Sequence, residues 1–125
     1  MRDPGQVVYD FLFSISRELG YKTYDFLPDE NTDYPFAVIQ SAQLQVRPTK
    51  TLLLGRVNAA IDLYGSEAQR QVVSSMGARL IGKAMSTRIK GLRPVPSATD
   101  LMIIQDQTTA VSLWHGRLFL TFELV

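Results

Sequence analysis

The last fifteen residues of the chain, from Val111 to Val125, constrain its fold most, because they fit only a strand inside a sheet. Successive side chains of a strand point to opposite faces. From residue 118 onward the alternate positions form two sets, Leu118, Leu120, Phe122 and Leu124 on one face, and Phe119, Thr121, Glu123 and Val125 on the other. Because both sets contain large apolar residues, the segment is predicted to be a central strand or one covered on both sides.

Other segments also have strand character, and two of them predict a hairpin. A strand is expected over 55–64, where apolar residues alternate with mostly polar ones: Val57, Ala59, Ile61 and Leu63 against Arg56, Asn58, Ala60, Asp62 and Tyr64. Another strand over 36–46 precedes it and is interrupted by Arg47-Pro48-Thr49-Lys50. We therefore expect the two strands to pair as a long hairpin. Shorter strands are predicted at 21–26 and 100–108, and a stiff linker at 93–97.

Two helices are predicted from capping residues and helical periodicity. The first begins after Asp3, a suitable cap, has Pro4 at its first position and ends before Gly20. Its apolar stripe is formed by Val7, Val8, Phe11, Leu12, Ile15 and Leu19. The second is expected over 67–89, with Ser66 as its cap. Its stripe is formed by Val72, Val73, Met76, Leu80 and Ala84.

The order of these elements predicts an α+β domain. One helix, three strands, a second helix and two strands give a mostly antiparallel sheet with two helices packed on one face. A chain of 125 residues has the size of one domain. We therefore expect 1–125 to be a single domain, in which 47–54 is a candidate protruding hairpin or loop arm.

The inventory of reactive side chains argues against catalysis. The chain has no cysteine and one histidine, His115, which excludes disulfides, thiolate metal sites and cysteine nucleophiles and disfavours a histidine metal centre. His115 precedes Gly116 between two apolar runs, which favours a turn or surface histidine over a general base. The acidic segment 29–33 matches no calcium-loop spacing and is expected to be solvated. We predict no enzymatic activity, no cofactor and no metal.

Charge is segregated along the chain, although its net charge is only +1. Residues 1–46 hold three basic and seven acidic side chains, residues 47–93 nine and two, and residues 94–125 one and three. The basic middle segment has three interpretations: a solvated helix face, a phosphate-binding surface of a nucleic-acid-binding accessory domain, or a contact with the acidic segment of another copy. For that contact the candidates are Asp29, Glu30, Asp33, Arg47, Lys50, Arg79 and Lys83.

Several apolar residues fall outside the two helical stripes. Tyr9 and Phe13 lie one turn apart, on a face of the first helix that packing on one side would leave in water. Leu52, Leu53 and Leu54 cannot all point into one core from an extended segment. Either a partner covers them, or the strand begins early in a sheet covered on both faces. The first alternative adds these five residues to the candidate subunit interface.

Short motifs in a fixed order span nearly the whole chain. After an N-terminal amphipathic helix they are Gly20-Tyr21-Lys22-Thr23-Tyr24-Asp25-Phe26-Leu27-Pro28, Tyr34-Pro35-Phe36-Ala37-Val38-Ile39, Lys50, Gly55-Arg56-Val57, Ile61-Asp62-Leu63-Tyr64-Gly65, a helix opening near Arg70, and a final strand after His115-Gly116. This order resembles the small tail-completion or tail-terminator proteins of tailed bacteriophages, also described as tail-to-head joining or minor capsid proteins. One departure is Tyr64, where a tryptophan is expected to close the middle strand.

The resemblance implies a structural protein in the tail or neck of a phage or prophage virion. Copies of such proteins form a ring, usually of six, that ends the tail tube and joins it to the head connector. The implied partners are further copies of the chain, the tail-tube protein and the head connector or stopper protein, with nucleic acid met only as the genome passes through the ring. The alternatives are another component of the head-tail neck and the nucleic-acid-binding accessory domain.

The resemblance implies assembly in the host cytoplasm, and the lack of cysteine is consistent with an intracellular compartment. No apolar run approaches the ~18–20 residues that span a bilayer. The first twenty residues also contain acids where a signal peptide needs an apolar core. We therefore expect no membrane partner.

Overall fold

Helices and strands in the computed structural model follow the predicted order, within the residues that it describes, 3–48, 53–107 and 111–125. The helices are α1 (Pro4–Glu18) and α2 (Arg70–Ser86), with a short 3-10 helix at Pro96–Ala98. The strands are β1 (Thr23–Tyr24), β2 (Phe36–Pro48), β3 (Leu53–Gly65), β4 (Leu92–Pro94), β5 (Asp100–Asp106) and β6 (Leu113–Leu124).

These strands form one sheet in the order β1-β2-β3-β6, and the far edge of β6 is shared by β4 and β5. β2 and β3 form a long antiparallel hairpin, which is paired from Phe36 and Tyr64 to Pro48 and Leu53. Among the described strands only β1 runs parallel to its neighbour. The central position predicted for the last strand is confirmed, as is the α+β fold with a mostly antiparallel sheet.

Both helices pack on the same face of the sheet, which we call the helix face. The core lies between the two layers. The helices contribute Val8, Leu12, Ile15, Val73, Met76, Leu80 and Ala84 to it. The central strands contribute alternate residues, Val57, Ala59, Ile61, Leu63, Leu118, Leu120 and Phe122. The alternation read from the sequence therefore names the buried side of β3 and β6 correctly.

The predicted ends of α1 are confirmed by its caps. Asp3 lies at the N-cap, and its Oδ1 accepts a hydrogen bond from the Gln6 backbone N at 3.0 Å, while Pro4 begins the helix. Beyond the C-terminus Gly20 has a φ of 88°, a left-handed conformation that glycine adopts without steric cost.

Glycines allow α2 to approach the sheet closely. A Cβ at Gly65 would lie 2.5 Å from Val73 Cγ2, and one at Gly116 would lie 2.8 Å from Val73 Cγ1. On the helix itself, a Cβ at Gly77 would lie 2.6 Å from a methyl group of Leu101. These positions need glycine because the layers touch there.

The predicted bounds of α2 are wrong at both ends. A hydrogen-bonded turn comes first, in which the Ser66 backbone N donates to Gln69 Oε1 at 2.8 Å and the Gln69 backbone N donates to the Ser66 carbonyl at 2.9 Å. Gln69 is therefore the N-cap, and the helix ends at Ser86, because the Thr87 backbone is extended. Val72, expected in the buried stripe, is 41% exposed.

Three strand predictions also need correction. β2 continues through Arg47 to Pro48, because β3 pairs with it that far, so the predicted interruption does not begin at Arg47. β1 covers two residues instead of six, and the strand from Asp100 ends at Asp106. The first two residues of the predicted linker, Arg93 and Pro94, join Leu92 in β4, which pairs with the edge of β6.

Candidate functional site

The sheet face opposite the helices, which we call the open face, carries no helix among the described residues. β3 places Arg56, Asn58, Ala60, Asp62 and Tyr64 on it, as the alternation predicted, and β6 places His115, Arg117, Phe119, Thr121 and Glu123 beside them. A buried cluster fills one end of this face, and the rest carries exposed and half-buried side chains, with Thr121 buried among them.

A row of stacked rings crosses the buried end of the open face. Phe36, Tyr64 and His115 are register partners on β2, β3 and β6, so their side chains stand side by side. The ring centroids of Phe36 and Tyr64 are 5.2 Å apart, and those of Tyr64 and His115 are 4.6 Å apart at an interplanar angle of 10°. Tyr34 stacks on Phe36 at 5.3 Å and extends the row to the loop that precedes β2.

Next to this row lies a charged cluster formed by the buried Asp62 and His115 and by the half-exposed side chain of Arg117. His115 Nε2 lies 2.9 Å from Asp62 Oδ1, and Arg117 Nε lies 3.4 Å from the same oxygen. Burial raises the pKa of Asp62, but the hydrogen bond and charge of His115, together with the Arg117 guanidinium, outweigh it and hold that pKa below its usual value. The carboxylate is therefore ionised at neutral pH and accepts the hydrogen bond that Nε2 donates.

The structure corrects the prediction for His115. The residue is not in a turn or on the surface: it lies within β6, is 8% exposed and bonds to a carboxylate that is 53 positions away in sequence. Burial also affects Tyr64, whose pKa it raises together with the neighbouring Asp62 charge. Every buried side-chain nitrogen and oxygen of the described residues has a hydrogen-bond partner. The cluster thus has the properties of a satisfied structural network.

The other end of the open face is polar, with Thr121 buried, Asn58 and Glu123 half-buried, and Arg56 and Arg93 exposed. Thr121 Oγ1 donates to Asn58 Oδ1 at 3.0 Å, and Arg93 on β4 forms an ion pair with Glu123 at 2.7 Å. Along the β5 side of this face lies an exposed apolar patch formed by Met102, Ile104 and Phe119, in which Met102 and Ile104 are the register partners of Arg117 and His115. The sequence analysis missed Met102 and Ile104, although the alternation within β5 would have placed both on one face.

Tyr9 and Phe13, predicted to face water, are half-buried instead. Their rings stack at a centroid distance of 6.3 Å, and both pack against the rim of the core. The expectation of an exposed pair is wrong because α1 lies across the edge of the sheet, where its flank also finds neighbours. Their role in a subunit interface stays a prediction.

The acidic loop, residues 25–33, follows β1 and exposes Asp29, Glu30 and Asp33, as predicted. A turn shapes it, in which Asp29 Oδ1 accepts from the Asn31 backbone N at 2.8 Å. Two large apolar side chains also project from the loop, since Phe26 is 70% and Leu27 is 59% exposed. The loop therefore combines apolar and acidic side chains in one exposed segment.

The basic candidates lie on different surfaces. Arg47 is exposed near the end of β2, whereas Arg79 and Lys83 lie on α2, where Lys83 Nζ is 3.7 Å from Glu18. Lys50 and Leu52 lie outside the described residues. The backbone of Leu53 and Leu54 pairs in β3, but their side chains also lie outside the description.

Three open grooves mark the described surface. The β4 groove, about 360 Å³, lies between the end of α2 and β4 and is lined by Met85, Ser86, Thr87, Arg88, Leu92, Arg93 and Pro94. The hairpin groove, about 560 Å³, is lined by Gln45, Val46, Arg47, Gly55, Arg56, Glu123 and Leu124. The α2 groove, about 340 Å³, is lined by Tyr21, Gln71, Val72, Ser75, Met76 and Arg79.

Within the described ranges, no three or more His, Asp or Glu side chains come together in a way that could hold a metal ion. In the same part of the chain, neither helix has the length and apolar character needed to cross a membrane.

Comparison with solved structures finds the same architecture in a chain of the virion of a native gene transfer agent particle. The two chains share a fold. The match covers 93% of this chain and 90% of that chain, with a TM-score of 0.63 and 10% sequence identity. The sequence matches no protein-family model and no curated protein. At this identity the likeness shows the fold alone.

Proposed function

We propose that this chain is a structural subunit of a phage-like virion, and that it is a tail-completion or tail-terminator protein. The observation that carries the proposal is the fold, which nearly the full length of this chain shares with a chain of a gene transfer agent virion. The sequence resemblance to tail-terminator proteins, which rests on separate motifs, supports the finer assignment. In this role copies of the chain form a ring, expected to contain six subunits, between the tail tube and the head connector.

The surface of the molecule suits a role in binding. The open face has exposed apolar and charged side chains and no covering helix among the described residues. Its grooves are open, and the one histidine is hydrogen-bonded to a buried carboxylate. We therefore propose that the protein is not an enzyme and acts by assembly. The two edges of the sheet differ, which favours contacts between unlike surfaces of neighbouring copies. Such contacts form a closed ring when the rotation from one copy to the next divides a full turn evenly.

The nucleic-acid-binding alternative finds less support in the distribution of basic side chains. Arg93 is paired with Glu123, Lys83 lies near Glu18, and Arg70 lies over the Trp114 ring with its Cζ 5.3 Å from the centroid. These side chains lie on different surfaces instead of forming one basic stripe. A phosphate-binding surface requires clustered positive charge.

Deletion of the gene in a strain that produces phage-like particles tests the proposal. We expect tails that end abnormally and do not join heads, and we expect a plasmid copy of the gene to restore whole particles. The His115→Ala chain should also restore them if it is folded, because no catalytic step is involved. Normal particles from the deletion strain, without the chain among their proteins, would overturn the proposal.

A gel-shift assay with double-stranded DNA tests the alternative in parallel. The proposed role predicts no shift at moderate salt. A salt-dependent shift that Arg79→Glu and Lys83→Glu abolish, with normal particles from the deletion strain, would favour the nucleic-acid-binding domain instead.

A further inference from the structure

Two surface features of this chain are complementary in chemistry but lie at opposite edges of the sheet. The first is the acidic loop, which follows β1 and exposes Phe26 and Leu27. The second is the β4 groove, which lies beside the last strand of the path β1-β2-β3-β6-β4. Four spacings of about 4.8 Å separate β1 from β4, roughly 19 Å in all. The loop of one copy therefore cannot reach the groove of the same copy.

The chemistry of the two features matches. Buried Leu92 and half-buried Met85 and Pro94 give the groove an apolar floor, and the exposed Arg88 and Arg93 lie at its rim. Arg93 is already paired with Glu123, so the positive charges offered to a partner are those of Arg88 and of Lys90, which lies in the turn before β4. The loop presents the inverse arrangement, with two apolar side chains among four acidic ones, Asp25, Asp29, Glu30 and Asp33.

We propose that Phe26 and Leu27 of one copy insert into the β4 groove of a second copy, with the acidic side chains of the loop facing Arg88 and Lys90. Large exposed apolar side chains mark contact surfaces, and opposite charges around them fix the partner and its orientation. Because loop and groove lie at opposite edges, each copy can bind one neighbour on each side. This contact is heterologous, as a ring requires, and it rests on the proposed assembly of copies into a ring.

The other grooves fit the loop less well. The hairpin groove includes the Glu123 carboxylate among its lining residues, which would repel the acidic side chains of the loop. The α2 groove has one basic side chain, Arg79, among its lining residues. The β4 groove alone among these three combines an edge position with more than one basic residue and no acidic one.

Disulfide trapping tests the contact directly, because the natural chain has no cysteine. A Leu27→Cys chain is mixed with a Ser86→Cys chain that carries a tag of different mass, and the mixture is oxidised. Ser86 lines the β4 groove, and the matched control Ser75→Cys lines the α2 groove on the same helix. We expect the disulfide-linked heterodimer with the Ser86→Cys chain to exceed the heterodimer with the Ser75→Cys chain by about ten-fold, because the bond forms only between close Cα atoms. Equal yields, or an excess of the control, would overturn the contact.

Charge reversal provides a second readout that does not depend on cysteine. Glu30→Arg and Arg88→Glu are each expected to weaken self-association, measured by native mass spectrometry, by about ten-fold, and the double variant should regain most of it. Glu67→Arg, an exposed site in the turn before α2, controls for the change in net charge. If the double variant self-associates no more strongly than the single variants, the proposed contact is overturned.

The two proposals fail in different ways. Assemblies that form without a disulfide between the Leu27→Cys and Ser86→Cys chains would overturn this contact and leave the virion role intact. Normal particles from the deletion strain would overturn the virion role, even if the disulfide forms.

Discussion

The two faces of the sheet are built from the same strands but differ in what covers them. On the helix face, Leu118 and Leu120 of β6 are fully buried under α1 and α2. On the open face the residue between them, Phe119, is exposed. The open face has buried side chains at the Asp62 and His115 cluster with its stacked rings and at Thr121, which is 8% exposed. The comparison indicates that the helix face stabilises the fold, whereas most of the open face remains available for contacts.

Substitution of neighbouring residues in β6 should give the largest difference between the faces. Leu120→Ala removes a side chain that is fully buried, so we expect a loss of about 3 kcal/mol in the free energy of unfolding. Phe119→Ala should cost about 1 kcal/mol or less, because the ring is exposed. Urea denaturation of both variants measures the difference. Equal losses would show that something also covers the open face in the isolated chain.

The charged cluster should make the buried end of the open face sensitive to pH. Asp62→Asn is expected to lower the free energy of unfolding by about 2 kcal/mol at pH 7, because it removes a charged hydrogen-bond partner of His115. The lowered pKa of Asp62 means that its stabilisation is fully present above the carboxyl pKa of the unfolded chain, about 3.9, and is lost as the pH falls through the lower folded value.

The difference in the free energy of unfolding between the natural chain and Asp62→Asn should therefore decrease as the pH falls below about 4. Thermal unfolding of the natural chain and the variant between pH 7 and pH 3 checks this, with Asp100→Asn on exposed β5 as the control. A deficit that stays constant down to pH 3 would contradict the role given to the Asp62 charge.

Two glycines of α2 sharpen the comparison from the helix side. Gly77 faces the sheet, so Gly77→Ala forces Leu101 to move and is expected to cost about 1 kcal/mol, after the gain in helix propensity is included. A Cβ at Gly82 meets nothing within 4 Å. Gly82→Ala should therefore stabilise the protein by about 0.8 kcal/mol. Thermal denaturation of the two variants measures both effects. If both substitutions raised the stability of the protein, or both lowered it, the result would contradict this orientation of α2.

The smallest effect on stability is expected in the exposed apolar patch. Met102→Ser should change the free energy of unfolding by no more than about 0.5 kcal/mol, because the side chain already contacts water. Ile103→Ser, the next residue on the helix face, is the matched control and should cost more than about 1 kcal/mol. Chemical denaturation measures both. A large loss for Met102→Ser would mean that the open face also contributes to the core.

Local signals in the sequence predicted the parts of the fold that local interactions determine. The Asp3 cap, the Pro4 start and the alternation in β3 each depend on neighbouring residues, and all three are confirmed. The start of α2 predicted from Ser66 was too early, because Ser66 and Gln69 close a hydrogen-bonded turn before the helix, and Gln69 takes the N-cap position without a side-chain cap bond.

The site was less predictable because it depends on contacts between distant segments. Asp62 and His115 meet only when β3 and β6 pair, so nothing near His115 in sequence indicated a buried partner. The exposure of the acidic loop was predicted, since turn formers and acids favour solvent. The apolar floor of the β4 groove was not predicted, because it combines the end of α2 with β4, most of which the sequence analysis had assigned to a linker.

Cryo-electron microscopy of particles from a strain that encodes this chain tests the virion role most directly. We expect density for copies of the α+β fold, arranged in a ring around the tail axis where the tail tube meets the head. In this ring the acidic loop of each copy should lie against the β4 groove of the next copy. Particles whose head-tail junction contains no such ring, and whose protein content lacks the chain, would contradict it.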